Sequence, residues 1–540
     1  MAIKSAESTR YLFFVALVFS LLLDSQKAIF ATALDDYVAA PDNNYSFTHD
    51  RTVDTGNLFD QPWYQTHYLD MTSQKWRSEA DSDRAVWTHM LTITRANIRV
   101  LTPSNPPDTA LIIVGGGDND DVNGIADPDT IPDEGALAVG TDSVICHLTT
   151  VPNQPILFSD EISPRSEDAI LAYTWDKYLN GGDPNWVAHL PMVKAIIRAM
   201  DTAQTYMASP TVGDAVTINK FVLTGGSKRG WVCWLAAAVD SRVVAVAPVV
   251  TDLLKLEKSF AHHWGAYGNF SSAIQDYVDA GIMGWADTPQ MESLLDIVDP
   301  IRYLDRFPNL PKFLIYSAGD EFFVLDSNHF YLSRLLAETG ETYIRHVPND
   351  NHSLDNKFSE VFNGMAPYWD DFLNSVSRPQ FSWTLENDGT ILVQADDPPI
   401  AVRLWQSSNP AARDFRLETI GPAWTSSDLA DQGGGAYIGQ VTEPVSGWTA
   451  FFVELEYPNN NDLFDEAQNY KMTTQVRVLP ETLPFAPDFD RSGVIDPADL
   501  VRFSQYWLTD DCVRDLSPLY GDDMVNLPDF SVIEGSWLGP

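Results

Sequence analysis

The sequence predicts an α/β domain with a mostly parallel sheet, followed by an antiparallel β-sandwich and a small helical module. Three observations support this. Strand-like apolar runs alternate with helical patterns between residues 86 and 347, as in a parallel sheet covered on both faces. After residue 378 the runs become short and alternate in polarity, as in a β-sandwich. From residue 488 a loop–helix pattern occurs twice.

The first domain, residues 34–378, contains seven predicted strands. They are rich in aliphatic and β-branched residues and lie at 86–100, 110–114, 142–148, 217–223, 243–250, 312–317 and 342–347. Residues 34 to about 80 lack this pattern and are predicted to be irregular.

Helical patterns separate several of these strands. Helices are predicted from Ser166-Glu167-Asp168, which would cap the first, to about 179, and over 186–207 and 228–239. The last is apolar almost all round, so we expect it to be buried. Residues 252–311, which separate two strands, are predicted to form an inserted cap over one end of the sheet. Residues 379–480 form the predicted sandwich and 488–540 the module.

The N-terminus carries the features of a secretory signal peptide. Lys4 and Arg10 precede an apolar run at 11–23, and Ala31-Thr32-Ala33 provides small residues for cleavage. The run is shorter than the ~20 residues needed to span a bilayer. We therefore expect residues 1–33 to be removed and the protein to be secreted or extracytoplasmic, in the periplasm or at the cell surface, without a membrane span.

The charge of the chain limits its partners. Lys and Arg number 34 against 75 Asp and Glu, which gives a net charge of −41. A body this acidic repels phosphate backbones, so nucleic acid is excluded as a partner. The expected substrate is a small molecule, a glycan or a peptide.

A serine stands at a predicted strand–turn–helix connection. Gly225-Gly226-Ser227-Lys228-Arg229-Gly230 leads from a strand end into the apolar helix, as in a nucleophile elbow. Gly225 and Gly226 would leave the space that the turn needs. The N–H of Lys228 would face a developing oxyanion. The sequence departs from the familiar G-x-S-x-G pattern, because Arg229 occupies the position of the second glycine. The alternative interpretation is a tight strand–helix turn with an inert serine.

An acid and a histidine follow later strands in the order that a catalytic triad requires. Asp320 comes just after the strand at 312–317, and His352 lies in the loop after the last strand. The order Ser, Asp, His is that of α/β-hydrolases. Ser227 would attack, His352 would carry the proton and Asp320 would orient the imidazole. Glu321 and Asp326 remain alternatives for the acid.

Other residues are candidates for supporting roles. Gly115-Gly116-Gly117 follows an early strand, and Gly116 and Gly117 are candidates for a second oxyanion donor. His346 and His329 are expected to be structural, whereas His262 and His263 of the cap are candidates for lining a pocket. Two further groups are named for substrate binding: acids for gripping a peptide N-terminus (Glu167, Asp168, Glu257 and Asp252) and cap aromatics (Trp264, Tyr267, Phe270 and Trp285).

Several long motifs carry a resemblance to a known family. Val151-Pro152-Asn153-Gln154-Pro155, the run from Arg165 to Trp175, Gly226-Ser227-Lys228-Arg229-Gly230-Trp231, Gly319-Asp320-Glu321-Phe322-Phe323 and Asn351-His352-Ser353 resemble the PhoPQ-activated pathogenicity-related protein family. The resemblance covers about 35–480 and implies an α/β-hydrolase fold in a secreted protein. The Ser-Lys-Arg-Gly elbow is also similar to that of glucuronoyl esterases, which implies that the Lys228 cation supports the oxyanion or binds a substrate carboxylate.

The C-terminal module carries the spacing of a calcium loop. Oxygen donors fall at positions 1, 3, 5, 7, 9 and 12, with Gly493 at the sharp bend; these donors are Asp488, Asp490, Ser492, the carbonyl of Val494, Asp496 and Asp499. The module resembles a dockerin, which implies a cohesin or cell-surface scaffold as partner. Thirty residues on, Pro518 and Tyr520 stand at positions 1 and 3, so the second copy is predicted to have lost its front ligands.

Two functions are consistent with these residues. The first is a secreted serine hydrolase that cleaves an ester or amide bond without a catalytic metal, with calcium serving a structural role in the module. The second is a non-catalytic binding or signalling protein on the same scaffold.

Overall fold

A computed structural model describes residues 31–56, 62–97, 108–119, 132–212, 215–461, 464 and 468–537. Most of the predicted signal peptide lies outside these residues. Helix α1 (Ala33–Ala39) begins at the predicted cleavage point, is capped by Thr32 and buries Leu34. Of the helices in the described ranges, none is long and apolar enough to cross a membrane.

The main sheet has nine strands within the described residues. In chain order they are β1 (Ser46–Thr55), β2 (Tyr64–Lys75), β3 (Val86–Ala96), β4 (Thr109–Val114), β5 (Val144–Leu148), β6 (Lys220–Gly226), β7 (Val243–Val249), β8 (Lys312–Ser317) and β9 (Thr342–Val347). Their spatial order is β1-β2-β3-β5-β4-β6-β7-β8-β9. Six neighbouring strands are parallel to one another: β5, β4, β6, β7, β8 and β9. β3 pairs antiparallel with β5, β2 pairs antiparallel with β3, and β1 pairs antiparallel with β2. The predicted α/β class is confirmed, and the sheet is mixed because three antiparallel strands extend its parallel part.

The prediction that residues 34–80 are irregular is wrong. β1 and β2 are 10 and 12 residues long. β1 is an edge strand with no fully buried side chain, so its sequence is polar and lacks the apolar run that marks an inner strand. The polarity of an edge strand therefore concealed β1.

Helices cover the sheet. They are α2 (Pro132–Thr141), α3 (Asp168–Gly181), α4 (His189–Met207), α5 (Lys228–Val239), α9 (Leu332–Glu338) and α10 (Phe358–Leu373). α5 has the predicted bounds and is buried along most of its length. The predicted cap of α3 is wrong: Glu167 stands at the N-cap with φ 53° and makes no side-chain capping bond, because its carboxylate binds two cations elsewhere.

The interval 252–311 is helical and lies between β7 and β8. It contains α6 (Leu256–Tyr267), α7 (Gln275–Asp279) and α8 (Pro289–Val298), joined by 3₁₀ turns. Apolar residues of this interval, among them Leu256, Phe260 and Ile274, line a cavity next to Ser227.

Two antiparallel sheets follow the main sheet. Their strands are β10 (Phe381–Leu385), β11 (Ile391–Ala395), β12 (Ala401–Asn409), β13 (Thr425–Asp428), β14 (Ala436–Gly439), β15 (Trp448–Tyr457), β16 (Tyr470–Thr473) and β17 (Arg477–Leu479), with the short helix α11 (Leu417–Ile420) after β12. β10-β11-β14 form one sheet, and β13-β12-β15-β16 form the other, with β17 beside β15. Residues of both sheets, such as Val393 and Val453, share one core with residues of the main sheet.

The C-terminal module contains α12 (Pro497–Ser504) and α13 (Leu527–Gly535). Its core consists of Ile495, Phe503, Leu516, Val525 and Ile533, all buried. Each helix begins at a capping box, formed by Asp496 with Asp499 in α12 and by Asn526 with Asp529 in α13. The two helices of the module therefore begin with the same type of N-terminal cap.

Candidate active site

Ser227 stands at the turn between β6 and α5 in a strained conformation. Its φ and ψ are 57° and −128°, a region that non-glycine residues occupy only where the surroundings force it. A Cβ at Gly225 would lie 2.9 Å from the Cβ of Arg229, and one at Gly230 would lie 2.3 Å from Thr251 Oγ1. No atom of the described residues lies within 4 Å of a Cβ at Gly226. The prediction that Gly226 provides space is therefore wrong, and Gly230 does so with Gly225.

Asp320 and His352 form a hydrogen-bonded pair. The imidazole Nδ1 lies 2.8 and 3.0 Å from the two oxygens of Asp320. The same carboxylate accepts the backbone N–H groups of Phe322 and Phe323 at 2.7 and 3.1 Å. The other ring nitrogen of His352, Nε2, is buried and has no hydrogen-bond partner among the described residues.

The alternative acids bind other groups. Glu321 accepts the backbone N–H of His352 at 3.0 Å rather than its ring. Asp326 accepts Nε2 of His262 at 2.8 Å and both terminal nitrogens of Arg413. Of the three candidate acids, Asp320 is therefore the one in contact with the His352 imidazole.

One aromatic ring, that of Phe322, links the cavity of Ser227 to His352. Phe322 lines the cavity beside Ser227, and its ring centroid is 4.2 Å from that of His352. In this structure no hydrogen bond joins the serine hydroxyl to the free Nε2. The histidine therefore lies next to the serine's cavity with one nitrogen held and one available.

The cavity at Ser227 is small and largely apolar. Its volume is about 50 Å³, enough for a few water molecules or a small substrate group. Aromatic rings dominate the wall: Trp175, Trp231, Phe260, Tyr277, Phe322 and Phe323. None of these six was predicted from the sequence to line the cavity; the apolar helical setting of Trp175, Trp231 and Tyr277 is typical of core residues.

Lys228 is not a free cation. Its ammonium lies 2.7 Å from Glu167 Oε2 and 2.9 Å from Asp168 Oδ2, and Arg229 binds both oxygens of Glu167 at 2.6 and 2.7 Å. Burial raises the pKa of Glu167, but Arg229 and Lys228 outweigh it and hold this pKa well below its usual range. The charge of Lys228 is thus already balanced, although its N–H remains the first of helix α5.

The two candidate glycines lie outside the lining of the Ser227 cavity. The carbonyl of Gly116 accepts the N–H of Thr150 at 2.6 Å, and Gly117 has φ 124°. Gly116, Gly226 and Arg229 line a second cavity of about 310 Å³. Neither Gly116 nor Gly117 is among the described residues that line the cavity of Ser227.

None of the four acids proposed for peptide binding is a free carboxylate in this cavity. Glu167 and Asp168 are paired with cations. Burial raises the pKa of Asp252 well above its usual value, and Tyr331 donates to it at 2.6 Å. Glu257 faces the C-terminal module instead, and burial with nearby carboxylates raises its pKa to about 7.

The predicted cap residues divide between two environments. His263 is buried and lines the cavity, and burial lowers its pKa to about 3, so the ring is neutral. The aromatic residues Trp264, Tyr267, Phe270 and Trp285 do not line it. His346 is buried and its Nδ1 lies 3.0 Å from Thr473 Oγ1. His329 is half-buried and its Nε2 bonds to the Val476 carbonyl at 2.6 Å.

Three predicted calcium ligands come together. One oxygen from each of Asp488, Asp490 and Asp499 lies within 4.8 Å of the others, and Gly493 has the positive φ of 84° that the bend requires. Burial and the neighbouring carboxylates raise the pKa of Asp499. Clustered carboxylate oxygens are the donors that calcium prefers, so this donor set fits the ion.

The other three predicted ligands make local bonds. Ser492 Oγ donates to the carbonyl of Val494 at 3.1 Å. Asp496 accepts the N–H of Ala498 at 2.7 Å as the cap of α12. These residues belong to the same loop but point their polar atoms at its backbone.

The second loop keeps its front acid, contrary to the prediction. Asp515 accepts the N–H groups of Asp522 and Asp523, as Asp488 accepts those of the fifth and sixth residues of the first loop. Asp529 accepts the N–H of Ser517, as Asp499 accepts that of Asp490. Asp515 is therefore position 1 of the second loop. The second loop has three more residues than the first between Asp515 and Asp522, and for this reason the spacing of the first loop placed position 1 at Pro518.

Comparison with known proteins identifies the family. The family model described as PhoPQ-activated pathogenicity-related protein matches residues 34–416. The autocrine proliferation repressor protein A of Dictyostelium discoideum is 35% identical over 491 residues, which cover 87% of this chain and 94% of the relative.

Solved structures resemble parts of the chain at low identity. An acetyl xylan esterase from Paenibacillus sp. R4 is 15% identical with a TM-score of 0.40, covering 64% of this chain and 92% of its own. A glucuronoyl esterase from Solibacter usitatus is 11% identical with a TM-score of 0.34, covering 63% and 90%. The match of the family model over most of the chain, together with the relative that is similar along nearly its whole length, shows that this chain belongs to the PhoPQ-activated pathogenicity-related protein family.

Proposed function

We propose that the protein is a secreted serine hydrolase that cleaves an ester or amide bond through Ser227, His352 and Asp320. The observation that carries the proposal is the pairing of His352 Nδ1 with Asp320, because it leaves Nε2 without a partner among the described residues, beside the cavity of a strained serine. A base with one nitrogen oriented and the other available is the arrangement that activates a serine.

The reaction follows from these positions. Ser227 Oγ attacks the substrate carbonyl carbon while His352 Nε2 accepts the hydroxyl proton, and Asp320 stabilises the resulting imidazolium through Nδ1–H. The backbone N–H of Lys228, at the N-terminus of α5, donates to the developing oxyanion. His352 then protonates the leaving group, and water, deprotonated by the same nitrogen, releases the acid from Ser227. Gly116 and Gly117 remain candidates for a second oxyanion donor.

The volume of the Ser227 cavity and the pairing of the acidic residues beside it favour an ester of a short acyl group over a peptide as substrate. Its volume of about 50 Å³ suits a group of few atoms. An acid that grips a peptide N-terminus would have to be free, and Glu167 and Asp168 are paired with Lys228 and Arg229. We therefore expect turnover of acetyl or propionyl esters to exceed that of octanoyl esters, measured as kcat/KM on p-nitrophenyl esters.

Labelling with a fluorophosphonate probe tests the nucleophile. Covalent labelling of the wild type, its loss in Ser227→Ala and its retention in Ser293→Ala, which removes an exposed serine hydroxyl from α8, would support the proposal. A folded, calcium-loaded protein without labelling would contradict it. Lys228→Ala tests the side chain separately: an undiminished kcat/KM would confine Lys228 to its backbone role.

A non-catalytic binding or signalling protein is the second candidate. The observation that favours it is the 35% identity to a relative named an autocrine proliferation repressor. The same labelling experiment separates the two functions, because a binding protein needs no reactive serine.

We also propose that Asp488, Asp490 and Asp499 hold a structural calcium ion, with Ser492, Val494 and Asp496 turning toward it. A bound ion stabilises the folded state by RT ln(1 + [L]/Kd), or about 2.7 kcal/mol at 100 times Kd. Calorimetry should show a higher Tm with Ca²⁺ in the wild type and not in Asp499→Ala. An unchanged melt on adding Ca²⁺ to the wild type would rule the site out.

Export and a partner for the module are further parts of the proposal. N-terminal sequencing of protein recovered from outside the cytoplasm would test cleavage near Ala33. Exposed apolar side chains on the module, including Val501, Leu508 and Leu527, would suit a cohesin or cell-surface scaffold. A pull-down with calcium and with chelator tests that partner.

A further inference from the structure

Helix α6 separates the Ser227 cavity from the C-terminal module. Phe260 and His263 line the cavity. From the same helix, Trp264 Nε1 donates to Asp488 Oδ2 in the first loop at 3.1 Å, and Lys258 donates to the carbonyl of Asp515 in the second loop at 2.9 Å. One helix therefore contacts the cavity and both loops of the module.

The segment that leads into the module packs against the end of α6. The N–H of Phe485 donates to the carbonyl of Gly265 at 2.9 Å. A Cβ at Gly265 would lie 3.3 Å from Ala486, and one at Gly268 would lie 2.7 Å from the Phe485 ring. This close fit means that the module is joined to the hydrolase domain by a packed connection rather than a free linker.

The three-residue insertion of the second loop makes a second contact with the cavity wall. It carries Tyr520, whose hydroxyl donates to Asp326 Oδ2 at 2.9 Å and whose ring stacks on His329 with centroids 4.0 Å apart. Val324 and Ser327, which flank Asp326, line the cavity of Ser227. The extra residues of the second loop, which include Tyr520, are thus the ones that contact the wall of the Ser227 cavity.

Four parts of the chain meet at the Asp326 carboxylate. It follows β8 and accepts hydrogen bonds from His262 of α6, from Arg413 next to the antiparallel sheets and from Tyr520 of the module. Burial raises the pKa of Asp326, but Arg413 and His262 hold it well below its usual range, so the group is charged. A buried charge needs all its partners, so the position of Tyr520 is coupled to that of α6.

We propose that the C-terminal module is an intramolecular regulator of the Ser227 cavity. Its docking through Tyr520 and Trp264 holds α6 and the segment 324–330 in place, and a divalent cation in the first loop strengthens this docking. The cation step rests on the calcium site proposed above. Asp488, Asp490 and Asp499 repel one another without a cation; a cation fixes Asp488 and with it the acceptor of Trp264.

Hydrogen–deuterium exchange on the full chain tests the docking without requiring catalysis. In Tyr520→Phe and in Trp264→Phe, exchange of the α6 amides should be faster by about fivefold or more, the lower limit of typical coupling between sites. Trp369→Phe, which removes an indole N–H of α10 that donates to Ser143 Oγ at 3.0 Å, away from α6 and the module, is the matched control and should leave α6 unchanged. Unchanged α6 exchange in both Tyr520→Phe and Trp264→Phe would overturn the proposal.

Calcium titration by calorimetry, followed by exchange with Ca²⁺ or with chelator, tests the cation step. We expect Ca²⁺ to slow exchange of α6 in the wild type and to have no effect on α6 in Trp264→Phe. Binding of Ca²⁺ without any change in α6 would overturn the coupling while leaving the calcium site intact. Absence of Ca²⁺ binding would overturn both the site and the cation step, and loss of fluorophosphonate labelling alone would affect only the proposed hydrolase.

Discussion

Two aspartate–histidine pairs follow β8, six residues apart in the chain. Asp320 binds Nδ1 of His352, and Asp326 binds Nε2 of His262, each at 2.8 Å. They differ in what else the carboxylate binds. Each histidine keeps one buried ring nitrogen without a partner among the described residues, but the other donors to Asp320 are the backbone N–H groups of Phe322 and Phe323. Asp326 also binds the guanidinium of Arg413.

This difference assigns different tasks to similar pairs. A carboxylate held by neutral N–H groups keeps its charge available to stabilise an imidazolium when one forms. A carboxylate already neutralised by an arginine holds several chain segments together instead. The contacts around each acid, rather than its distance to a histidine, therefore distinguish a candidate triad from a structural junction.

The largest expected effect is that of Asp320→Asn. The corresponding exchange in the best-studied serine protease triad lowers kcat by about 10⁴-fold, because the amide fails to hold the required histidine tautomer. We expect a loss of similar size in ester hydrolysis, with little change in Tm. A loss below tenfold in a folded variant would transfer the role of triad acid to another residue and remove the contrast between the pairs.

Asp326→Asn should affect stability instead. Removing one partner of a buried ion pair costs about 3–5 kcal/mol, since Arg413 would remain charged and fully buried. Urea unfolding would measure this loss, and labelling of Ser227 in the folded fraction should persist. A stable Asp326→Asn protein that no longer reacts with the probe would mean that the second pair is the catalytic one.

The sequence predicted the inner part of this architecture better than its connections. Helix α5 has the predicted bounds because the elbow starts it and its apolar residues are buried. The pairing of Glu167 with Arg229 could not be predicted, because the two residues lie 62 positions apart. At the Asp326 junction, Asp326 and Tyr520 lie 194 positions apart. The spacing of a calcium loop does not reveal that the extra residues of the second loop, which include Tyr520, make this distant contact.

Acid unfolding gives a smaller test of the same contrast. The folded pKa of Asp326 is held well below its unfolded value of about 3.9. Its stabilising contribution is therefore complete above about pH 5 and declines as the pH falls through and below 4. In acid, the unfolding of Asp326→Asn should take up as much as one proton fewer than that of the wild type. Its unfolding free energy should therefore change less steeply with pH, by up to about 1.4 kcal/mol per pH unit. An unchanged slope would mean that Asp326 is not the charged centre of the junction.

The smallest expected effect is that of Glu321→Gln, which tests the third candidate acid. Glu321 lies between the two pairs in sequence and accepts the backbone N–H of His352, and burial raises its pKa above the ordinary value. A glutamine keeps a carbonyl oxygen that can accept the same bond, so kcat/KM should fall by less than about tenfold, which corresponds to about 1.4 kcal/mol. A fall as large as that of Asp320→Asn would show that the charge of Glu321, rather than its hydrogen bond, supports the histidine. The charge that stabilises the imidazolium would then come from Glu321, which binds the backbone of His352. The residues to compare would be Glu321 and Asp320 of the same loop, rather than Asp320 and Asp326.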